Sequence, residues 1–203
     1  MKKVFSLILL LVLSVAGMAA AESAQSILAK SAAKIKSTPS MRVIYTMSAD
    51  GHIVKGSLVI CGNCFSLASP QMSTWFDGKT QWTYTSQIGE VNMIEPTQDE
   101  LQQVNPFAII SSFSTAYNAK LTATTNGVYT IALTAKKKGS DIKSATLKIS
   151  SSTLLPTSIK LMLSNNQQIS IAISQVTPGK KLPVSAFRFD PKKYPGIQVV
   201  DLR

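Results

Sequence analysis

Between residues 42 and 176 the chain is punctuated by turn signals that separate stretches of alternating apolar and polar residues. Asp50-Gly51 divides 42–48 from 52–60, and Gly78 divides 75–77 from 80–85. Asn126-Gly127 divides 121–125 from 128–135; after 142–150, Asn165-Asn166 divides 157–164 from 167–176. Asp-Gly and Asn-Gly accept positive φ at little cost, as a tight turn between right-twisted strands requires. A run of such hairpins predicts an antiparallel meander. In the later strands Ile131 and Leu133 alternate with Thr130, Ala132 and Thr134. Ile159 and Leu161 alternate with Ser158 and Lys160, and Ile169 and Ile171 with Ser170 and Ala172. One greasy face and one polar face predict a sheet covered on one side only.

Two helical segments are available as the cover. Over 22–37, Ile27, Leu28, Ala32 and Ile35 share a stripe, and Pro39 ends the helix. Thr97 followed by Glu100 has the capping-box pattern, and Leu101, Val104 and Phe107 supply an apolar side. Pro106 breaks that helix, and 108–113, including Ile110, forms a further short turn of helix. The economical arrangement is a curved sheet wrapping these helices. Leu101, Val104, Phe107 and Ile110 are then expected to form a lid, displaced by whatever the concave face binds. Ile131, Leu133, Ile159, Leu161, Ile169 and Ile171 are expected to line the concavity. Trp75, Trp82 and Tyr84 are assigned to the same lining, with an ordinary core role as the alternative.

The N-terminal residues have the layout of an export signal. Met1-Lys2-Lys3 is followed by an apolar run over 4–16 and by Gly17, Ala19, Ala20 and Ala21. Cleavage is expected after Ala21, leaving 22–203 as one periplasmic domain of about 180 residues. No Cys follows the apolar run, so a lipid anchor is not expected. Without Lys2 and Lys3 the charge is 19 Lys and Arg against 10 acids, or about +9. Only Arg42, Arg188 and Arg203 are arginines, which, with export, speaks against nucleic acid as a partner. The excess of Lys favours approach to anionic membrane surfaces or acidic partners, or is simply a solvated basic surface. Lys136-Lys137-Lys138 reads as a solvated loop, with docking as the alternative.

Cys61 and Cys64 flank Gly62-Asn63, which reads as a hairpin turn. A local disulfide and a pair of free thiols both fit. Redox catalysis needs a C-x-x-C at a helix start, and zinc needs about four ligands where His52 is the only His. No catalytic residues, cofactor or metal are expected, because no nucleophile elbow, phosphate-cradling loop or acid–base pair occurs. An apolar concavity without chemistry points to carriage of something apolar.

The segment Gly56-Ser57-Leu58-Val59, then Phe65, then Trp75-Phe76-Asp77-Gly78-Lys79-Thr80-Gln81-Trp82-Thr83-Tyr84, resembles the core of LolA-type outer-membrane lipoprotein carriers. Glu90-Val91-Asn92 through Pro96-Thr97, Glu100-Leu101 and Asn105-Pro106-Phe107 resembles that family's helical insert. Phe189-Asp190 to Tyr194-Pro195-Gly196 and Val200-Asp201-Leu202-Arg203 resembles the terminus of a divergent LolA-like branch. The resemblance implies a mainly β fold with α: an antiparallel, half-open β-barrel with short helices covering its concave apolar face. It implies binding of lipoprotein acyl chains, an inner-membrane lipoprotein-release transporter as donor and an outer-membrane acceptor, with the carrier a monomer. A sensing module of the same fold, binding lipid or lipoprotein without transport, is the alternative. The family's better-known members carry an Arg after the third-strand Phe that helps control lid closure. Here Ser66 follows Phe65, so no Arg carries over.

Overall fold

The computed structural model describes residues 22–105 and 107–203; the expected signal segment 1–21 and the break at Pro106 lie outside the described residues. Helix α1 (Ala24–Ser37) starts at Ser23, whose hydroxyl accepts from the Ser26 N–H. It ends where the Thr38 N–H closes on the Ile35 carbonyl, just before Pro39. Six strands follow in a meander: β1 (Ser40–Ala49), β2 (His52–Cys61), β3 (Cys64–Ala68), β4 (Met72–Phe76), β5 (Gln81–Thr85) and β6 (Glu90–Ile94). Then come α2 (Gln98–Val104) and α3 (Ala108–Ala116). A second meander comprises β7 (Tyr117–Thr125), β8 (Val128–Ala135), β9 (Ile142–Ser150), β10 (Pro156–Leu163) and β11 (Gln168–Gly179). Two 3-10 turns (Val184–Phe187 and Pro191–Lys193) and β12 (Gln198–Asp201) complete the chain.

The predicted hairpins form with their predicted turn chemistry. Asp50 and Gly51 have φ of 49° and 79°, and Asn126 and Gly127 have 51° and 73°. Positive φ at both central residues is the type I′ arrangement that continues strand twist. All twelve strands join one open sheet in the order β12-β6-β5-β4-β3-β2-β1-β11-β10-β9-β8-β7. The two meanders are thus fused through β1 and β11, which pair antiparallel. The helical link from β6 to β7 leaves the first meander at one end and enters the second at the other, so it must span the sheet. The fold is mainly β with α: a half-open β-barrel with short helices against its concave face.

Register explains the core. Leu121, Ile131, Leu147, Ile159, Ile171 and Met47 follow one another across β7 to β1, and Ala119, Leu133, Ala145, Leu161 and Ile169 form the neighbouring row. Ile27 and Leu28 from α1 and Ile109, Ile110 and Phe113 from α3 belong to the same buried cluster. Fully burying one such Ile or Leu contributes roughly 1.5–3 kcal/mol. This apolar contact is what holds short helices in place.

Two expectations are overturned by the register. Glu90–Ile94 resembles part of a helical insert in sequence, yet it is strand β6, paired with β5. Trp75, Trp82 and Tyr84 do not line the concavity. Phe65, Phe76 and Gln81 follow one another on the concave face, whereas Ser66, Trp75, Trp82 and Met93 follow one another on the outer face. Trp75 makes edge contacts with Phe189 (5.7 Å) and Tyr194 (5.7 Å), and Tyr84 lies 5.0 Å from Tyr194. The segment after β11 folds back over this half of the outer face, so these aromatics form a second, separate layer. Arg188 Nε donates to Asp77 Oδ2 at 2.8 Å and Phe187 is buried, pinning the strap in place.

Candidate functional site: a groove under the helical link

The concave face is largely filled, except near β2–β4. There a groove of about 710 Å³ lies between the sheet and the helical link. Ile60, Phe65, Phe76, Leu101 and Phe107 give it an apolar floor and wall. Phe65 and Phe76, opposite each other in the register, stack with centroids 5.3 Å apart. Gln102, Asn105, Ser112, Thr115, Lys136 and Lys137 supply a polar margin. An apolar floor with a few polar groups at the margin, in a volume of a few hundred Å³, is the usual form of a small-ligand site.

Gly56 shapes the concave face farther back along β2. It stands opposite Tyr45 on the concave face, and a Cβ at that position would collide with the Tyr45 ring. The glycine of the Gly-Ser-Leu segment therefore makes room for a buried aromatic.

The helical link closes the groove. Thr97 caps α2 as predicted: its hydroxyl accepts from the Glu100 N–H at 3.3 Å, and the Thr97 N–H donates to Glu100 Oε2 at 2.7 Å. The Thr97 N–H, and then the Thr97 hydroxyl donating to the same Oε2 at 2.8 Å, hold the Glu100 carboxyl below its ordinary value. Asn105 ends α2, and its Oδ1 accepts from the Phe107 N–H at 3.1 Å, turning the chain into α3. Leu101 and Phe107 are buried beside the groove, Ile110 is fully buried, and Val104 packs against the same cluster. The residues expected to form a lid are therefore brought together in one buried cluster. Ile131, Leu133, Ile159, Leu161 and Ile171 are buried on the concave face and Ile169 is half-buried there. They lie beneath the helices rather than along the groove.

Two groups escaped sequence reasoning. The phenol of Tyr117, at the start of β7, donates to Gln102 Oε1 of α2 at 2.8 Å in a buried contact. Burial and then the nearby Asp99 carboxylate push the Tyr117 phenol up to about 12. Gln81, buried on the concave face beside Phe76, donates to Thr83 but leaves its Oε1 without a partner. Position 66, where the resemblance looks for an Arg, faces outward opposite Trp75, away from the groove.

Cys61 and Cys64 are free thiols standing directly opposite each other across Gly62-Asn63. Burial first, then the Asp77 carboxylate and the Cys61 neighbour, push the Cys64 thiol up, with Arg188 opposing. Cys61 Sγ contacts the Leu182 carbonyl of the strap at 3.7 Å. His52 is exposed beside its turn, and no helix among the described residues is long and apolar enough to cross a membrane.

Residues 14–165 match the family described as outer membrane lipoprotein carrier protein LolA. No curated protein matches the chain by sequence. An uncharacterized conserved protein from Thermus thermophilus shares the fold, with TM-score 0.60 at 11% identity over 88% of this chain and 98% of that one. A putative outer membrane lipoprotein-sorting protein domain from Vibrio parahaemolyticus aligns with TM-score 0.48 at 10% identity, over 80% of this chain and 94% of that one. A LolA superfamily protein from Nitrosomonas europaea aligns with TM-score 0.46 at 14% identity, over 82% and 98% respectively.

Proposed function

The chain belongs to the LolA family of outer membrane lipoprotein carriers, and from that premise we propose that it binds the acyl chains of lipoproteins and carries them across the periplasm. The reading takes 1–21 as a cleaved signal and 22–203 as one carrier domain. An inner-membrane release transporter is the donor and an outer-membrane acceptor receives the cargo. The observation that carries the proposal is the groove itself. Its apolar floor is closed on one side by a short capped helix, and the link containing that helix lies against the sheet through Leu101, Phe107 and Ile110. Each buried CH₂ contributes about 0.8 kcal/mol, so an acyl chain in water is drawn to such a surface. The apolar sheet under the link is the same kind of surface, so cargo enlarges the groove by displacing the link.

The test has two parts. Mass spectrometry of a gently washed native preparation is expected to find lipid or lipoprotein bound; a preparation free of both argues against carriage. Depletion in cells is then expected to strand lipoproteins at the inner membrane. Bound lipid without stranding would support a sensing module of the same fold.

A further inference from the structure

Seven adjacent strands, β2-β1-β11-β10-β9-β8-β7, contain none of the chain's ten Asp and Glu residues. Their outer face carries Arg42, Lys55, Lys120, Lys148 and Lys160, all exposed. Register places these cations in rows. Lys120, Ala132, Thr146, Lys160 and Ser170 follow one another across the sheet. In the next row Lys148, Ser158, Ala172, Thr46 and Lys55 do the same. At about 4.8 Å per strand, Lys120 and Lys160 stand about 14 Å apart, and Lys148 and Lys55 about 19 Å. The ion pairs among the described residues occupy Lys30, Lys79, Arg188 and Arg203, so none of these five cations is in one.

We propose that this acid-free outer face docks the protein on an anionic phospholipid bilayer. Protein–protein interfaces are rich in aromatics, Met and Arg and depleted in Lys. Here the cations are mostly Lys, separated by Ser, Thr and Ala, and Ile53 is the only large apolar side chain that is highly exposed on these strands. Strongly hydrated point charges without an anchor suit a diffuse negative surface better than a shaped partner. The groove lies on the opposite face of the sheet, so docking here leaves its margin free. The inference stands apart from the carrier reading, because it uses none of the groove residues.

The test is sedimentation of the protein, without its signal segment, with vesicles of phosphatidylcholine alone or with phosphatidylglycerol added. Binding is expected only to the anionic vesicles and is expected to fall as salt rises. Replacing Lys55, Lys120, Lys148 and Lys160 by Gln is expected to weaken it by roughly 600-fold, from about fivefold per lysine. Replacing Lys180, Lys181, Lys192 and Lys193 removes the same charge elsewhere and is expected to weaken it much less. Circular dichroism confirms folding of both variants. No binding to anionic vesicles overturns the proposal, and so does equal loss in the two variants, which would mark net charge rather than this face.

Discussion

Tyr117 donates a buried 2.8 Å hydrogen bond to Gln102, tying α2 to the first residue of β7. It joins the helical link to the sheet at a position that neither residue's sequence context announces. Tyr117→Phe leaves the Gln102 oxygen buried without its donor, which costs roughly 1–3 kcal/mol. Stability in urea is expected to fall by about that amount, while uptake of a fluorescent fatty acid becomes faster. Slower or unchanged uptake would mean that this bond does not restrain the lid.

The buried Tyr117 phenol also has a pH signature, set by its burial and then by the nearby Asp99 carboxylate. The phenol's ordinary value is 10.0 and the folded value is about 12, so the folded protein holds the proton more tightly. The stability that goes with burying the neutral phenol is intact below pH 10 and is lost as pH rises through about 12. Tyr117→Phe is therefore expected to lose less stability than the parent over that window, as measured by denaturation at successive pH values.

Lid movement can be tested by a crosslink. A disulfide engineered between α2 and the facing strand, with Cys61 and Cys64 replaced by Ser, is expected to suppress acyl-chain uptake until reduced. Undiminished uptake by the fully crosslinked protein would leave a permanently open groove as the better account.

The placement of Trp75 and Trp82 predicts a spectroscopic silence. A brominated fatty acid, which quenches tryptophan on contact, is expected to bind without lowering emission, because both indoles lie across the sheet from the groove. Strong quenching would return them to the lining. Trp75→Ala, by contrast, is expected to loosen the C-terminal strap by removing the partner of Phe189 and Tyr194, read as faster limited proteolysis after β11.

Leu147 is fully buried at the centre of the concave face. Leu147→Ala is expected to cost about 2–5 kcal/mol. Its exposed neighbour, Lys148→Gln, is expected to stay within about 0.5 kcal/mol of the parent. Urea titration of both checks the face assignment at a single step along β9.

Local sequence is enough to specify the hairpins, their turns, the capped helix and the concave face of the second meander. There the strands are covered on one side only, so apolar and polar residues alternate, and Ile131, Leu133, Ile159 and Leu161 can be assigned from spacing alone. The rest depends on how the chain packs. Around β4 and β5 both faces are covered, one by the helical link and one by the C-terminal strap. Trp75 and Phe76 are therefore both apolar, and alternation no longer says which of them faces inward. The fusion of β1 with β11, the parallel pairing of β12 with β6 and the Tyr117–Gln102 bond join residues far apart in the chain. Such contacts leave no local pattern, because each depends on how the whole sheet curls and on which segment returns to cover it.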